Sequence, residues 1–198
     1  MEKQQTTINE FVAAKINTLQ KREDSYSRAT LAKLRRGVGR SPGSMPDIWD
    51  FTLGNLLESW LSQSGDPTPF EWAAHISITL FALHQQGKDI RLSPVSVSGG
   101  SLGSAVRRLI SSRGAESESA IKRRFDTVIT SNSAEELAFH LRGLISLLKS
   151  EGIPLDYPRL AGDLLRFQFQ DQRDRVRLLW GQDYYFNRKR EDENSDEE

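Results

Sequence analysis

The 198-residue chain contains no cysteine. A disulfide framework, a thiolate nucleophile and a cysteine-ligated zinc or iron–sulfur site are therefore excluded. Long apolar runs are also missing, since the most apolar region, residues 72–83, is interrupted by polar residues and is too short to cross a bilayer. The first twenty residues lack the continuous apolar stretch of a signal peptide. The sequence thus predicts a cytoplasmic protein with no membrane partner.

Catalytic motifs are equally scarce. The three histidines stand at no metal-ligand spacing and are interpreted as helix residues: His75, His84 and His140. The glycine-rich segment 98–103 lacks the Lys-Ser/Thr pair of a phosphate loop, and we interpret it as a flexible connector. Helix capping explains the carboxylates Glu135, Glu136, Asp171 and Asp174. We predict no catalytic residue, no metal site and no cofactor.

Strand patterns are absent too, whereas apolar residues recur at helical spacing along the chain. The sequence predicts an all-α fold, a bundle of about eight to nine helices. The predicted helices cover residues 8–21, 24–36, 47–61, 69–86, 101–113, 117–131, 134–151, 158–170 and 172–186. Residues 88–100 interrupt this periodicity and mark either a domain junction or an ordered functional loop. We expect one domain over residues 1–190, with possible lobes at 6–87 and 101–188.

Charge is present but unevenly distributed. The formal net charge is zero, yet residues 191–198 hold six carboxylates and no Lys or Arg, which leaves 27 basic and 21 acidic side chains on residues 1–190. We predict that residues 191–198 form a disordered acidic tail. Five basic side chains and no acidic one fall between Arg28 and Arg40. The body of the protein is therefore cationic, with its charge concentrated in particular segments.

Helical register indicates where these cations point. In the second helix Lys33 and Arg36 share a sector with Arg40. Later helices are predicted to turn Arg107, Arg108, Lys122 and Arg123 toward water, with Arg113 near the edge and Arg124 beside the core. Two consecutive helices thus present a basic surface suited to phosphate backbones, although a solvated surface without a ligand has the same pattern.

Several short motifs resemble the CasB family, the small subunits of the type I-E CRISPR Cascade complex. They occur in the expected order over residues 8–185. The motifs are Ala32-Lys33-Leu34-Arg35-Arg36-Gly37, Gly100-Ser101-Leu102-Gly103, Arg123-Arg124-Phe125-Asp126, Leu137-Ala138-Phe139-His140-Leu141-Arg142-Gly143-Leu144, Gly152-Ile153-Pro154-Leu155-Asp156-Tyr157 and Val176-Arg177-Leu178-Leu179-Trp180-Gly181.

The resemblance implies a helical, non-enzymatic subunit that helps to hold target DNA beside the CRISPR RNA, while base pairing reads the sequence. Implied partners are CRISPR RNA, target DNA, the large and backbone subunits of Cascade, and a second copy of the chain. It adds Arg35 and Arg142 to the candidate contacts. The predicted nucleic-acid-binding residues are Lys33, Arg35, Arg36, Arg40, Arg107, Arg108, Arg113, Lys122, Arg123, Arg124 and Arg142.

The sequence leaves alternatives open. Arg124 and Arg142 lie close to apolar stripes, so an ion pair or a subunit contact explains them as well as a phosphate does. A structural clamp would instead bind partner proteins through Phe139, Trp180 and Tyr184. A metal-dependent nuclease would need the carboxylates discussed above.

Overall fold

The computed structural model describes the backbone of residues 7–195 and the side chains of residues 7–186, and this part of the chain is helical. The predicted all-α fold is confirmed. The α-helices are α1 (Ile8–Lys21), α2 (Asp24–Arg36), α3 (Trp49–Thr52), α4 (Pro69–His84), α5 (Leu102–Arg113), α6 (Glu118–Thr130), α7 (Ala134–Glu151), α8 (Tyr157–Phe167) and α9 (Gln170–Ser195).

Side-chain caps fix the starts of α1 and α4. The Thr7 hydroxyl accepts the Glu10 N–H at 3.2 Å, and the Glu10 carboxylate accepts the Thr7 N–H at 2.7 Å. Thr68 and Glu71 make the same pair of bonds at 3.2 and 2.7 Å. These side chains satisfy amides that have no partner within the helix, so the sequence locates both helix starts correctly.

The helix predicted over residues 47–61 is wrong. The chain forms a 3-10 turn at Pro46–Ile48, the single turn α3, and a second 3-10 turn at Glu58–Trp60. After α3 the amides of Leu53 and Gly54 both bond to the Trp49 carbonyl, and Asn55 adopts a φ of 64° that a helix cannot continue. The apolar spacing that predicted a helix reflects side chains that are buried from irregular backbone.

Helix α4 lies at the centre of the molecule. Its residues from Glu71 to Ala82 are all buried, and it packs against α1, α2, α7 and α8. A helix that is apolar on all sides is stable only when neighbours cover every face. Helices α1, α2, α7 and α8 therefore enclose α4, and α5 packs against α7 and α9 beyond this group.

Two glycines permit close helix crossings. A Cβ at Gly103 of α5 would lie 1.9 Å from the backbone oxygen of Trp180 in α9. A Cβ at Gly162 of α8 would lie 2.4 Å from the side-chain oxygen of Asn9 in α1. The second crossing joins the first helix of the chain to a late one.

Residues 88–100 are held in place by a buried glutamine. The Gln85 side chain accepts the N–H of Val95 at 3.1 Å and donates to the carbonyls of Lys88 and Ser93 at 3.3 and 3.1 Å. Gln85 is buried, so these bonds replace the water that its amide group would otherwise need.

The second half of this segment is bonded to residues 155–156. Leu155 donates to the Val95 carbonyl at 2.9 Å and accepts from Val97 at 3.2 Å. The Asp156 carboxylate accepts the Gly99 N–H at 2.8 Å. The predicted flexible connector is therefore an ordered segment, because its backbone amides and carbonyls find partners in the turn before α8.

Buried residues from both sides of this segment belong to one hydrophobic core. Ile8 and Leu19 of α1 are part of it, as are Leu160 and Leu164 of α8. At the other end, α9 runs into the predicted acidic tail, residues 191–198. The side chains of that tail, and residues 196–198 entirely, lie outside the described part of the chain.

Candidate nucleic-acid interface

The first group of predicted contacts lies at the end of α2. Lys33, Arg36 and Arg40 are exposed and Arg35 is half-buried. Arg36 pairs with Asp47 at 3.0 Å, and the Arg40 Nε donates to the Arg36 carbonyl at 3.2 Å. Arg40 follows Gly37, where the helix ends, so this carbonyl contact keeps its side chain beside the last turn.

Helix α5 differs from the predicted orientation. Arg107 is buried rather than turned to water, and the half-buried Arg108 donates to the Pro154 carbonyl at 2.9 Å. The amphipathic pattern missed this because α5 contacts α6, α7 and α9, which together cover more of its surface than one apolar stripe. Burial raises the pKa of the Tyr184 phenol, and the nearby Arg107 charge offsets part of this rise.

Two further candidates are engaged in ion pairs. Arg113 contacts Glu151 at 2.8 Å and the Ser150 hydroxyl at 2.9 Å. Lys122 contacts Asp126 at 2.8 Å, and this hydrogen bond raises the pKa of the lysine. Both pairs are solvent-accessible and of low stabilising value. The carboxylates of Glu151 and Asp126 nevertheless neutralise much of the positive charge that Arg113 and Lys122 would otherwise offer to a phosphate.

The remaining candidates on α6 and α7 are exposed cations. Arg123, Arg124 and Arg142 are all exposed, and no carboxylate among the described residues lies within 4.0 Å of them. The Arg124 guanidinium extends over α7, 3.6 Å from the position that a Cβ would take at Gly143. Arg124 therefore reaches the backbone next to Arg142, and the two helices present their cations together.

The predicted residues thus form two groups. The α2 group lies on a helix that packs against α4, and the α5–α7 group lies on helices that pack against one another and, through α7, against the same α4. Sequence analysis did not select two lysines that lie between them, Lys88 and Lys149. The register of α7 could have identified Lys149, seven residues after Arg142 and hence on the same face. The sequence correctly predicted that Lys88 follows the end of α4, but it did not indicate where the turn that carries Lys88 packs.

The histidines lie within helices, and two of them are buried. Burial lowers the pKa of His75, and burial together with the nearby Lys88 charge lowers the pKa of His84 to about 4. His84 Nδ1 lies 3.0 Å from the Tyr157 hydroxyl. No cluster of three or more His, Asp or Glu suited to a metal ion occurs in residues 7–186. None of the described helices is long and apolar enough to cross a membrane.

The aromatic residues proposed for a clamp are only partly available. Trp180 and Tyr184 are buried, stacked on Phe167 and packed against Phe125 respectively, so neither can bind a partner from the surface. Phe139 is 70% exposed, as the clamp hypothesis requires. The exposed apolar residues of α9 are different ones: Leu178, Leu179, Tyr185 and Phe186.

Comparisons with known proteins agree with this architecture. A family model described as CRISPR-associated protein Cse2 matches residues 30–185. The crystal structure of CasB from Thermobifida fusca is 34% identical, with a TM-score of 0.68 over 90% of this chain and 98% of that one. CasB structures from Thermus thermophilus and M. ruber share the fold at 20% identity. Their TM-scores are 0.65 and 0.69, over 91% and 96% of this chain and 99% of each of theirs.

A search of the curated proteins found no match. The family match nevertheless covers well over half of the chain, and the Thermobifida fusca protein is similar along almost its whole length. The chain therefore belongs to the CRISPR-associated Cse2 family, also called CasB, a family of Cascade subunits in CRISPR defence.

Proposed function

We propose that this chain is a non-catalytic, cytoplasmic subunit of Cascade that binds nucleic acid. Its basic surface stabilises the hybrid of guide RNA and target DNA together with the displaced strand. The observation that carries the proposal is the set of three exposed arginines on α6 and α7, Arg123, Arg124 and Arg142, which have no carboxylate partner among the described residues. Membership of the Cse2 family supports the part of the proposal in which the chain acts in a complex with other Cascade subunits.

Unpaired cations suit this role because each phosphate that they neutralise releases condensed counterions, and the affinity gained does not depend on base sequence. Sequence recognition is left to pairing between guide and target, so the subunit needs no base-reading element. Paired cations such as Lys122 contribute less, since binding a phosphate would compete with the Asp126 contact.

The test measures target binding by assembled Cascade that carries Arg123→Ala, Arg124→Ala and Arg142→Ala. For every phosphate that the variant no longer neutralises, the slope of log affinity against log salt should fall by about 0.9. Lys122→Ala is the matched control on α6, and its effect should be smaller. If the triple variant assembles normally and keeps the wild-type slope, the proposal is wrong.

A structural clamp is the second candidate, and the exposed apolar strip on α9 favours it. Leu178 and Tyr185 are seven residues apart and therefore share a helix face, which Phe186 extends. Under this hypothesis Leu178→Ser with Phe186→Ser prevents incorporation into Cascade, whereas the arginine variants leave target retention unchanged. Intact assembly of the α9 variant with reduced retention in the arginine variant would exclude the clamp as the main role.

A further inference from the structure

A cleft of about 420 Å³ opens between α2 and the turn at residues 85–90. Three cations line it, Arg28 and Arg35 from α2 and Lys88 from the turn, together with the amide of Gln86. Only Arg28 and Arg35 come from the basic segment that the sequence singled out. The third cation is brought there by the fold, because Gln85 anchors the turn from its buried end.

The two carboxylates in the cleft are already engaged. Asp24 pairs with Arg28 one helical turn away. Asp89 accepts the backbone N–H groups of Arg91 at 2.7 Å and Leu92 at 3.0 Å, and these bonds lower the pKa of its carboxyl group. Arg35 and Lys88 have no carboxylate within 4.0 Å among the described residues. The three cations and two carboxylates that line the cleft leave it with a net charge of +1.

Lys149 connects this cleft with the arginines of α6 and α7. Its ammonium group donates to the Gln86 side chain at 2.8 Å. Arg142 precedes it by two helical turns, about 10 Å along the same face of α7. The Lys88 ammonium lies 3.5 Å from the position that a Cβ would take at Gly152, just beyond the end of α7. The order across the surface is therefore Arg124, Arg142, Lys149, Lys88 and Arg35.

We propose that this cleft binds a backbone phosphate of the nucleic acid through Arg35 and Lys88, and that Lys149 joins it to the Arg124–Arg142 group in one continuous track. The inference rests on the proposed function and deepens it. Arg35 and Lys88 both line this open cleft, and guanidinium and ammonium groups are the side chains that bind phosphate in proteins. The track also gives α2 a place in the same interface as α6 and α7.

The experiment compares Cascade carrying Arg35→Ala, Lys88→Ala or both with wild type, in salt titrations of target binding. Each single variant should reduce the salt slope by about 0.9, which corresponds to about eightfold weaker binding at 0.1 M salt. Lys88→Arg keeps the charge and should keep the slope. Lys21→Ala removes an exposed cation that does not line the cleft, and should also leave the slope unchanged.

The outcomes separate this inference from the proposed function. The inference about the cleft is wrong, and the proposed function stands, if both cleft variants keep the wild-type slope while the Arg123, Arg124 and Arg142 variant has a reduced slope. Unchanged slopes in all of them overturn both. A lower melting temperature for Lys88→Ala with an unchanged slope would assign the lysine to the end of α7, where cations stabilise a helix, and would also overturn the inference.

A separate arm distinguishes a strand phosphate from a free anion. Isolated chain is titrated with inorganic phosphate and, in parallel, with a single-stranded oligonucleotide. Oligonucleotide binding that weakens in Arg35→Ala, with no saturable binding of inorganic phosphate at millimolar concentration, supports the strand. Tight inorganic phosphate binding that disappears in Arg35→Ala, with oligonucleotide affinity unaffected, would overturn it in favour of a small-anion site.

Discussion

The indole Nε1 of Trp180 donates a hydrogen bond of 2.8 Å to the carboxylate of Asp163, and both side chains are buried. The other carboxylate oxygen contacts Arg166 at 2.6 Å. The hydrogen bond between Trp180 and Asp163 links α9 to α8, and it joins a charged group inside the core to the largest buried aromatic residue. Buried polar groups are costly when they lose a partner, and the pair should be important for stability.

Asp163→Ala should lower the free energy of unfolding by about 2 to 3 kcal/mol, because it leaves the Trp180 N–H without an acceptor in the core. Urea denaturation measures the loss. Asp163→Asn keeps an acceptor and should cost less. In a double-mutant cycle, Trp180→Phe should be less harmful in the Asp163→Ala background than in wild type. Strictly additive effects would show that the bond contributes nothing.

Gly103→Ala should be among the most destabilising single-methyl substitutions in this chain. The new Cβ would lie 1.9 Å from the Trp180 carbonyl, and that atom belongs to backbone that cannot rotate away. Overpacking of this kind costs about 1 to 3 kcal/mol or more. The matched control is Gly181→Ala on α9, where nothing lies within 4 Å and alanine should be neutral or stabilising by up to about 1 kcal/mol. Equal melting temperatures for the two variants would contradict the close crossing.

Asp156→Ala should cost about 2 kcal/mol. One carboxylate oxygen caps α8 by accepting the Arg159 N–H at 2.9 Å, and the other holds Gly99 at 2.8 Å. The substitution removes both bonds together, so the ordered segment before α5 should also exchange its amide hydrogens faster. Asp174→Ala is the control, because its contact with Arg177 is on the surface and is worth about 0 to 1 kcal/mol. Protection at Gly99 that survives in Asp156→Ala would refute the account.

Stability should fall on mild acidification because of His84. The unfolded chain binds a proton at this residue near pH 6.5, whereas burial and the Lys88 charge lower the pKa in the folded chain to about 4. Protonation therefore favours the unfolded chain in this window. The contribution of His84 to the free energy of unfolding is about 3 kcal/mol. It is complete above pH 6.5 and is lost as the pH falls toward 4. His75, whose pKa is also lowered, adds in the same direction.

Chemical denaturation at pH 7 and pH 5 tests this. Between the two values wild type should lose about 2 kcal/mol more than His84→Gln, which cannot titrate. Tyr157→Phe removes the hydroxyl near His84 Nδ1 but keeps the histidine buried, so it should retain the wild-type pH dependence. Parallel pH profiles for wild type and His84→Gln would rule out the assigned pKa.

Much of the fold could be predicted because the helix starts depend on residues that are close together in the sequence. The starts of α1 and α4 follow from Thr7 with Glu10 and Thr68 with Glu71, whose caps need no tertiary contact. The region after Pro46 was not predictable, since the apolar spacing around Phe51 and Trp60 fits a helix that Gly54 and Asn55 interrupt. The periodicity of apolar residues indicates which side chains are buried, but irregular backbone can bury the same side chains as a helix.

The candidate site was predictable only in part, for the same reason. Exposure of Arg123 and Lys33 follows from the register of a single helix, but the burial of Arg107 depends on how many helices surround α5. Lys88 depends on a turn held by a glutamine, an arrangement without a sequence signature. Charge runs therefore identify segments, whereas tertiary packing decides which of their members reach a ligand.

Because α4 is enclosed on all sides, it fixes the distance between α2 and α7, the helices that flank it. Neither α2 nor α7 can approach the other without displacing core side chains from Glu71 to Ala82. A polyanion that bridges the two surfaces would meet a preset spacing and would need to conform to it. Under the proposed function, the subunit would therefore respond to the shape of the polyanion as well as to its charge.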